Sequence, residues 1–269
     1  MPFWEPSRRR RKAQNSNATM RQTFLVLLSL VALSAHAQSG DDWKYSIEPY
    51  LLGASIDGDA TLGRATGVPV DVSTDQLLEN LESAFMLNFE ARFDNGWGFV
   101  LDYGFMDLGA DTTVGFGGVV SASVRQAILE AIATRRLDVA AGRLELFGGV
   151  RWWDNRVRGS FDPSIGSGSL STEINEDWVD PIVGVRWTRG LSARWDIRLR
   201  GDVGGFGVGS DITWGANAAV YFRMSERMFL DLGYRALYVD YANDKASNEG
   251  AFAYDTTTHG PILGFAVRW

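Results

Sequence analysis

The side chains in this sequence that could do chemistry are charges of both signs set at every second position. Asp196, Arg198, Arg200 and Asp202 alternate with Trp195, Ile197, Leu199 and Val203. The same spacing puts Glu90 and Arg92, Glu145 and Arg151, Asp180 and Arg186, Asp231 and Arg235, and finally Arg268, on rows that oppose largely apolar ones. Glu48, Asp102 and Glu130 fall in step with them. Residues two apart share one face of a strand, so these groups make a face of pairable ions. Such a face can line a narrow water-filled passage that selects solutes by charge. Packed together, it can instead fill the space with a hydrogen-bonded ionic core, because buried ions are tolerable only when paired.

Other chemistries find little support. There is no cysteine, which excludes disulfides, thiolate metal sites and a lipidated-cysteine anchor. Of the two histidines, His36 and His259, only the second lies in the body of the chain. A Ser-His-Asp site would have to gather around it, with Asp255 or Asp240 and a serine such as Ser247. No spacing supports that grouping, and a polar residue at a loop boundary is the simpler reading. The glycine run from Gly204 to Gly209 lacks the Lys-Ser/Thr ending of a phosphate loop, has no helix after it, and reads as a bend in a wall. No cofactor and no metal are expected, and the balance leans away from an enzyme.

The charged rows need strands to hold them, and period-two alternation runs through the chain. Reading back from the end, Trp269, Val267, Phe265, Leu263 and Pro261 oppose Arg268, Ala266, Gly264, Ile262 and Gly260. Phe85 to Phe93 and Trp97 to Phe105 alternate likewise on either side of Asp94-Asn95-Gly96, a hairpin signal. Ser123 to Arg136 suits a helix by propensity. It is read as a strand because an up-and-down order needs a crossing there. The count is about ten strands, with eight or twelve possible if that segment or the first long link is misread. Short links at 94–96, 137–143, 188–194 and 223–227 alternate with longer ones at 55–84, 107–122, 158–177, 206–211 and 241–255. The first long link holds Ser73 to Glu82, a capped turn of helix with Leu77, Leu78 and Leu81 grouped on one side. It would be a lid or plug, or, as preferred here, a short helix packing its leucines on a rim.

A soluble β-sandwich also alternates, but its inner face could not accommodate charge on nearly every strand cheaply. Trp43, Trp97, Trp152, Trp187, Trp195 and Trp214 sit near predicted strand ends, as interfacial girdles do. The predicted fold is therefore all-β, an antiparallel up-and-down transmembrane barrel, with short turns on one side of the membrane and long loops on the other.

The two ends agree with export. Phe24 to Leu33 is an apolar run of about ten residues, too short for a spanning helix of roughly 20. It follows Met20-Arg21 and leads to Ala35 and Ala37, which flank a signal-peptidase cut after Ala37. Residues 1–37 are thus an N-terminal extension and signal peptide, and residues 38–269 the barrel domain. The basic run Arg8 to Lys12 lies ahead of Met20, which begins a complete signal peptide by itself, so the first 19 residues read as an over-long start or an extended n-region. Six of the 26 Lys+Arg and one of the 33 Asp+Glu fall before Gln38, leaving 20 against 32, a net of −12. Nucleic acid is an unlikely partner for such a surface. The closing outward row Phe265, Val267 and Trp269 has the form expected of a barrel-assembly signal.

Gly201 to Trp214 (GDVGGFGVGSDITW), Gly233-Tyr234-Arg235, Asp240-Tyr241, Gly260-Pro261 and Gly149-Val150-Arg151-Trp152 resemble small, largely uncharacterised Gram-negative outer-membrane barrel proteins. The resemblance covers most of the mature chain in strand layout, and only these short runs are specific. It implies an outer-membrane barrel and no defined activity. The functional expectation is a narrow solute pore, or a barrel with a plugged lumen that displays its loops for structure or adhesion. The partners expected are membrane lipid, the barrel-assembly machinery and lipopolysaccharide, whose bridging divalent ions would meet the acidic rim of Asp240, Asp244 and Asp255. A monomer is expected.

Overall fold

A computed structural model describes residues 43–114, 118–162, 170–243, 245–246 and 250–269. The unit considered below is residues 42–268. The expected signal-cleavage residues Ala35 and Ala37, and Asp244 and Ser247, lie outside the described residues.

Where the alternation runs unbroken, the chain is extended. The strands are β1 (Trp43–Leu52), β2 (Ser55–Leu62), β3 (Ala65–Val72), β4 (Leu81–Phe93), β5 (Trp97–Val114), β6 (Gly118–Val139) and β7 (Gly142–Asp162), followed by β8 (Leu170–Gly190), β9 (Trp195–Gly205), β10 (Ile212–Arg223), β11 (Met228–Ala242) and β12 (Phe252–Arg268). A single helix, α1 (Thr74–Glu79), stands between β3 and β4. From β4 to β12 each strand pairs antiparallel with the next, β4 also pairs with β1, and β1 returns to β12 with Ile47 opposite Val267 and Tyr50 opposite Gly264. The result is a closed ten-stranded antiparallel barrel with two additional strands, β2 and β3.

Strand formation overrides local propensity in β6. Ser123 to Arg136 lies inside a 22-residue strand, with Glu130 opposite Asp102 on one side and Arg151 on the other. The links expected at 107–122 and 158–177 are also corrected, because both segments are largely strand. The ladder continues to Val114 opposite Gly118, and from Arg158 opposite Glu173 to Phe161 opposite Leu170. Sequence alternation fades there because the outward positions become polar. Asp107, Arg125, Asp154, Arg156 and Glu173 replace the apolar row, while the backbone pairing carries on. The Gly204 to Gly209 run is not a bend in the wall either. Gly205, Phe206 and Gly207 have φ of 84°, 53° and 71° and make the tight loop joining β9 to β10.

On the outer face, apolar rows extend for about nine residues, as from Trp97 to Phe105 on β5, Leu144 to Trp152 on β7 and Trp214 to Phe222 on β10, the length a tilted strand needs to cross a bilayer. Val150, Val183, Leu199, Val203 and Leu232 on these rows are exposed. Among the described residues no helix is long and apolar enough to cross a membrane.

The first long link is not a plain loop. It holds β2, β3 and α1. Ser73 caps α1 reciprocally with Gln76 in a capping box, which satisfies two otherwise unpaired backbone donors. Only part of the expected leucine face exists. Leu77 is buried with Ala54, Ile56 and Met106, and Leu81 packs beside them, but Leu78 is 57% exposed.

β12 changes partner midway along its length. Its lower part pairs with β1 and its upper part with β2, and the switch falls where the Gly53 amide donates to the Pro261 carbonyl. Gly260 has to be glycine here, because a Cβ would stand 2.0 Å from the Gly53 carbonyl oxygen. Gly260→Ala should destabilise the folded barrel by about 2 kcal/mol through enforced backbone displacement. Urea unfolding in lipid vesicles measures this, and an unchanged midpoint would show that the junction is not tight.

Candidate functional site

Inward positions on all ten barrel strands meet in the lumen, and the charged ones sort into levels. At the end nearest the 94–96 turn, Arg186 on β8 reaches across to β4. Its Nη2 donates to Glu90 Oε1 at 2.5 Å, while its Nε donates to Glu145 Oε2 at 2.8 Å. Arg92 donates to the same Glu90 oxygen at 2.6 Å. Glu90, Glu145 and Arg186 are all buried.

Midway up, Glu130 on β6 receives three arginines from three different strands. Arg151 of β7 donates through Nε at 2.9 Å and Nη2 at 2.7 Å, Arg200 of β9 at 2.6 Å, and Arg235 of β11 at 3.2 Å. Arg151 also donates to Asp202 at 2.7 Å and to Thr213 at 3.0 Å, so its guanidinium is fully engaged at zero exposure. Arg235 continues the chain to the Tyr50 hydroxyl at 3.1 Å, and Tyr50 donates to Asp102 at 2.8 Å. Asn88 gives Asp102 a second donor at 2.9 Å. The whole level is one connected network joining β1, β4, β5, β6, β7, β9, β10 and β11. A polar cavity of about 70 Å³ lies beside it, bordered by Glu48, Asn217 and Tyr221.

Five residues depart from simple pairing. Asp180 meets no cation. It accepts from Trp153 Nε1 at 2.9 Å, Trp178 Nε1 at 3.3 Å, the Ser210 amide at 2.7 Å and the Ser210 hydroxyl at 2.8 Å. Arg198 donates to the Tyr221 hydroxyl at 3.0 Å and lies over its ring, and Arg268 lies 3.9 Å from the Phe229 ring centroid, so aromatic faces stand in for carboxylates. The Asp231 and Glu48 side chains both close over Gly264, two carboxyl groups in place of an ion pair. Asp196, half-buried at the end of β9, makes no ion pair among the described residues.

Above the charges the lumen turns apolar. Trp153, Trp178, Leu237, Val239 and Phe252 form a buried cluster, with Tyr241 stacked on Trp178 at 3.8 Å and 3°. Sequence reasoning missed this layer, although Trp153 continues the inward row Glu145, Phe147, Gly149 and Arg151. The adjacent outward Trp152 had marked the strand's end.

Outside the apolar rows, Arg158 donates to Glu173 at 2.6 Å, and with Asn175 it holds the Glu173 carboxyl below the usual carboxylate range. Asp240 and Asp255 stand directly opposite one another. Burial, together with the Asp255 and Asp211 charges, pushes Asp240 up. His259 lies between Asp57 at 2.8 Å and the Tyr234 hydroxyl at 2.6 Å, not with Asp255 or Asp240. Val267 and Phe265 occupy outward positions of β12, where they pair with Met228 and Leu230.

Asp180 is the clearest single anchor, since it ties β7, β8 and the 206–211 loop together. Asp180→Ala should cost roughly 3–5 kcal/mol by stranding three buried donors, the Trp153 indole N–H and the amide and hydroxyl of Ser210, while Trp178 keeps its bond to the Ser210 hydroxyl at 2.8 Å. Its effect can be read as a lowered urea midpoint with a red-shifted tryptophan emission, and wild-type emission would contradict this packing.

No protein-family model matches the chain. No curated protein matches it either. Among solved structures it is similar to the translocator domain of the autotransporter NalP from Neisseria meningitidis, at 13% identity and a TM-score of 0.48, covering 96% of this chain and 98% of that one. It is also similar to the attachment invasion locus protein Ail of Yersinia pestis (13%, TM-score 0.36, 85% and 100% covered) and to Neisserial surface protein A (14%, TM-score 0.28, 85% and 99%). Those proteins are outer-membrane β-barrels, and the likeness is one of architecture, carrying nothing about activity.

Proposed function

We propose that this chain is an outer-membrane β-barrel whose lumen is closed to ions and whose tall β5–β8 wall presents a polar surface outside the membrane. The observation that carries the closed lumen is Glu130, buried and shared by arginines from three strands that face it from different sides of the barrel. A ten-stranded barrel has an interior only slightly wider than one that side chains fill, and here cross-lumen ion pairs and an aromatic layer take that space.

The display role follows from strand length. β6, β7 and β8 run 22, 21 and 21 residues, whereas β9 and β10 run 11 and 12. The surplus carries Arg125, Asp154, Arg156, Arg158 and Glu173 on its outward row, above the level that lipid would cover. Export through a signal peptide cut after Ala37, insertion read from Phe265, Val267 and Trp269, and a monomer in contact with lipid and lipopolysaccharide complete this reading.

A narrow charge-selective pore is the second reading, and the polar cavity beside Arg198 and Arg200 is what favours it. Refolded protein in a planar bilayer should give no steady conductance steps. Steady steps whose ion selectivity shifts in Arg198→Gln with Arg200→Gln would overturn the closed lumen and establish the pore.

A further inference from the structure

The barrel wall is split on one side. β1 pairs with β4 only from Trp43 opposite Phe93 to Pro49 opposite Leu87. Above that level β4 continues to Leu81 against β5 alone, while the chain beyond β1 turns into β2, whose partners are β12 and β3. No ladder joins β3 to β4. The split starts within the outward apolar band. Phe85, the next outward residue of β4 above Leu87, still pairs with Phe105, the last apolar outward residue of β5 before Asp107.

An open strand edge in an apolar layer is tolerated only where protein or a cavity covers it. α1 occupies this stretch of chain, held at both ends. Thr74 Oγ1 donates to the Gly53 carbonyl at 3.0 Å, and the Asn80 carbonyl accepts from Gly109 at 2.9 Å. Leu77 packs inward while Leu78 is exposed.

Next to the split lies a cavity of about 60 Å³ lined chiefly by Leu52, Met86, Phe105, Met106, Ile128 and Leu237. Leu52 and Met86 come from the two strands that part company. Phe105 belongs by alternation to the outward row and carries Arg125 over its ring, while its lining neighbours Gly104 and Met106 face inward, so the cavity lies against the inner side of the wall at the split. Tyr50, Asp102 and Arg235 also border the cavity, and they are bonded to one another. None of the buried polar atoms left without a partner belongs to its lining. Gln126, which donates to Asn155 and Tyr254, and Thr258 complete the lining, so the cavity offers a ligand chiefly apolar contact. Its volume is several times the roughly 10–15 Å³ that admits one water and under half of the roughly 150 Å³ that holds a benzene ring, room for the last few carbons of a slender chain and not for a ring.

We propose that this cavity holds the end of a single saturated hydrocarbon chain, which enters sideways from the bilayer between β3 and β4 beneath α1. The site rests on the charged level, whose Tyr50, Asp102 and Arg235 border it, and does not depend on whether the barrel conducts ions. The chain could belong to a membrane lipid or to a free alkyl molecule, and the chemistry of recognition is the same for both.

Photolabelling the folded full-length barrel in vesicles tests this with two probes, a diazirine-bearing decane and a phospholipid with a diazirine at the end of one acyl chain. Peptide mapping should find label on the inward residues Met86 and Met106 with at least one probe, and that probe identifies the source of the chain. Excess unlabelled decane should remove this label. Gly104→Leu fills the cavity, since a Cβ there meets only the Met86 side chain at 3.9 Å, and should cut inward labelling at least fivefold. Gly201→Leu, at an outward position of β9 with open space around it, should leave it unchanged. Label confined to outward residues such as Phe85 and Leu87, or inward label that neither decane nor Gly104→Leu reduces, would overturn the proposal. The decane competition on wild-type protein decides the matter even if Gly104→Leu fails to fold.

Discussion

The structure depends on one constraint, that ten strands closing a barrel bring every inward charge into a space too small to hydrate it. A carboxylate or guanidinium there costs several kcal/mol unless a partner stands opposite. Glu130 and Arg151 answer that constraint for the middle of the lumen, and Arg200, Arg235 and Asp202 close the network around them. The five members come from four strands, β6, β7, β9 and β11, so the pairs form only when the ladders are in register. A slip by one residue would turn each charge toward lipid. The ionic network and the strand register therefore enforce one another.

The lumen is graded along its length. Charges occupy the part nearest the short turns, aromatic rings and leucines the part beyond, and Asp180 sits at the boundary, where two indoles, a hydroxyl and an amide replace a counter-ion. The grading matters for what can pass. On the closed-lumen proposal ions meet a paired polar layer along the axis, and on the lateral-binding proposal an apolar molecule finds its compatible surface at the side, where β1 and β4 separate; the two proposals are compatible in one wall.

Much of this was legible in the sequence because period-two patterning reports directly which residues share a face. The rows Asp196 to Asp202 and Glu145 to Arg151 could be placed inside the barrel from spacing alone, and the strand nature of Ser123 to Arg136 followed from the need for a crossing. What could not be read was partner choice. Nothing in the spacing says that Arg198 would lie on Tyr221 and Arg268 on Phe229 while Asp231 met Glu48, because those contacts depend on register across strands distant in sequence. Strand ends were misplaced where outward residues turned polar above the apolar band at Asp107 and Asp154, since a change of solvent looks like a loop when only hydropathy is read. The extra hairpin β2–β3 was hidden for a related reason. Its exposed residues, among them Asp57, Asp59 and Asp71, carry no apolar row to mark it.

A double-mutant cycle on Glu130→Gln and Arg151→Met, read by reversible urea unfolding in lipid vesicles, measures the interaction on which the rest depends. Each single change should cost roughly 3–5 kcal/mol by leaving its partner buried and uncompensated, and the double mutant should cost less than their sum by about 1–3 kcal/mol. Strictly additive losses would contradict the account, because they would mean that the two groups do not hold each other in the lumen.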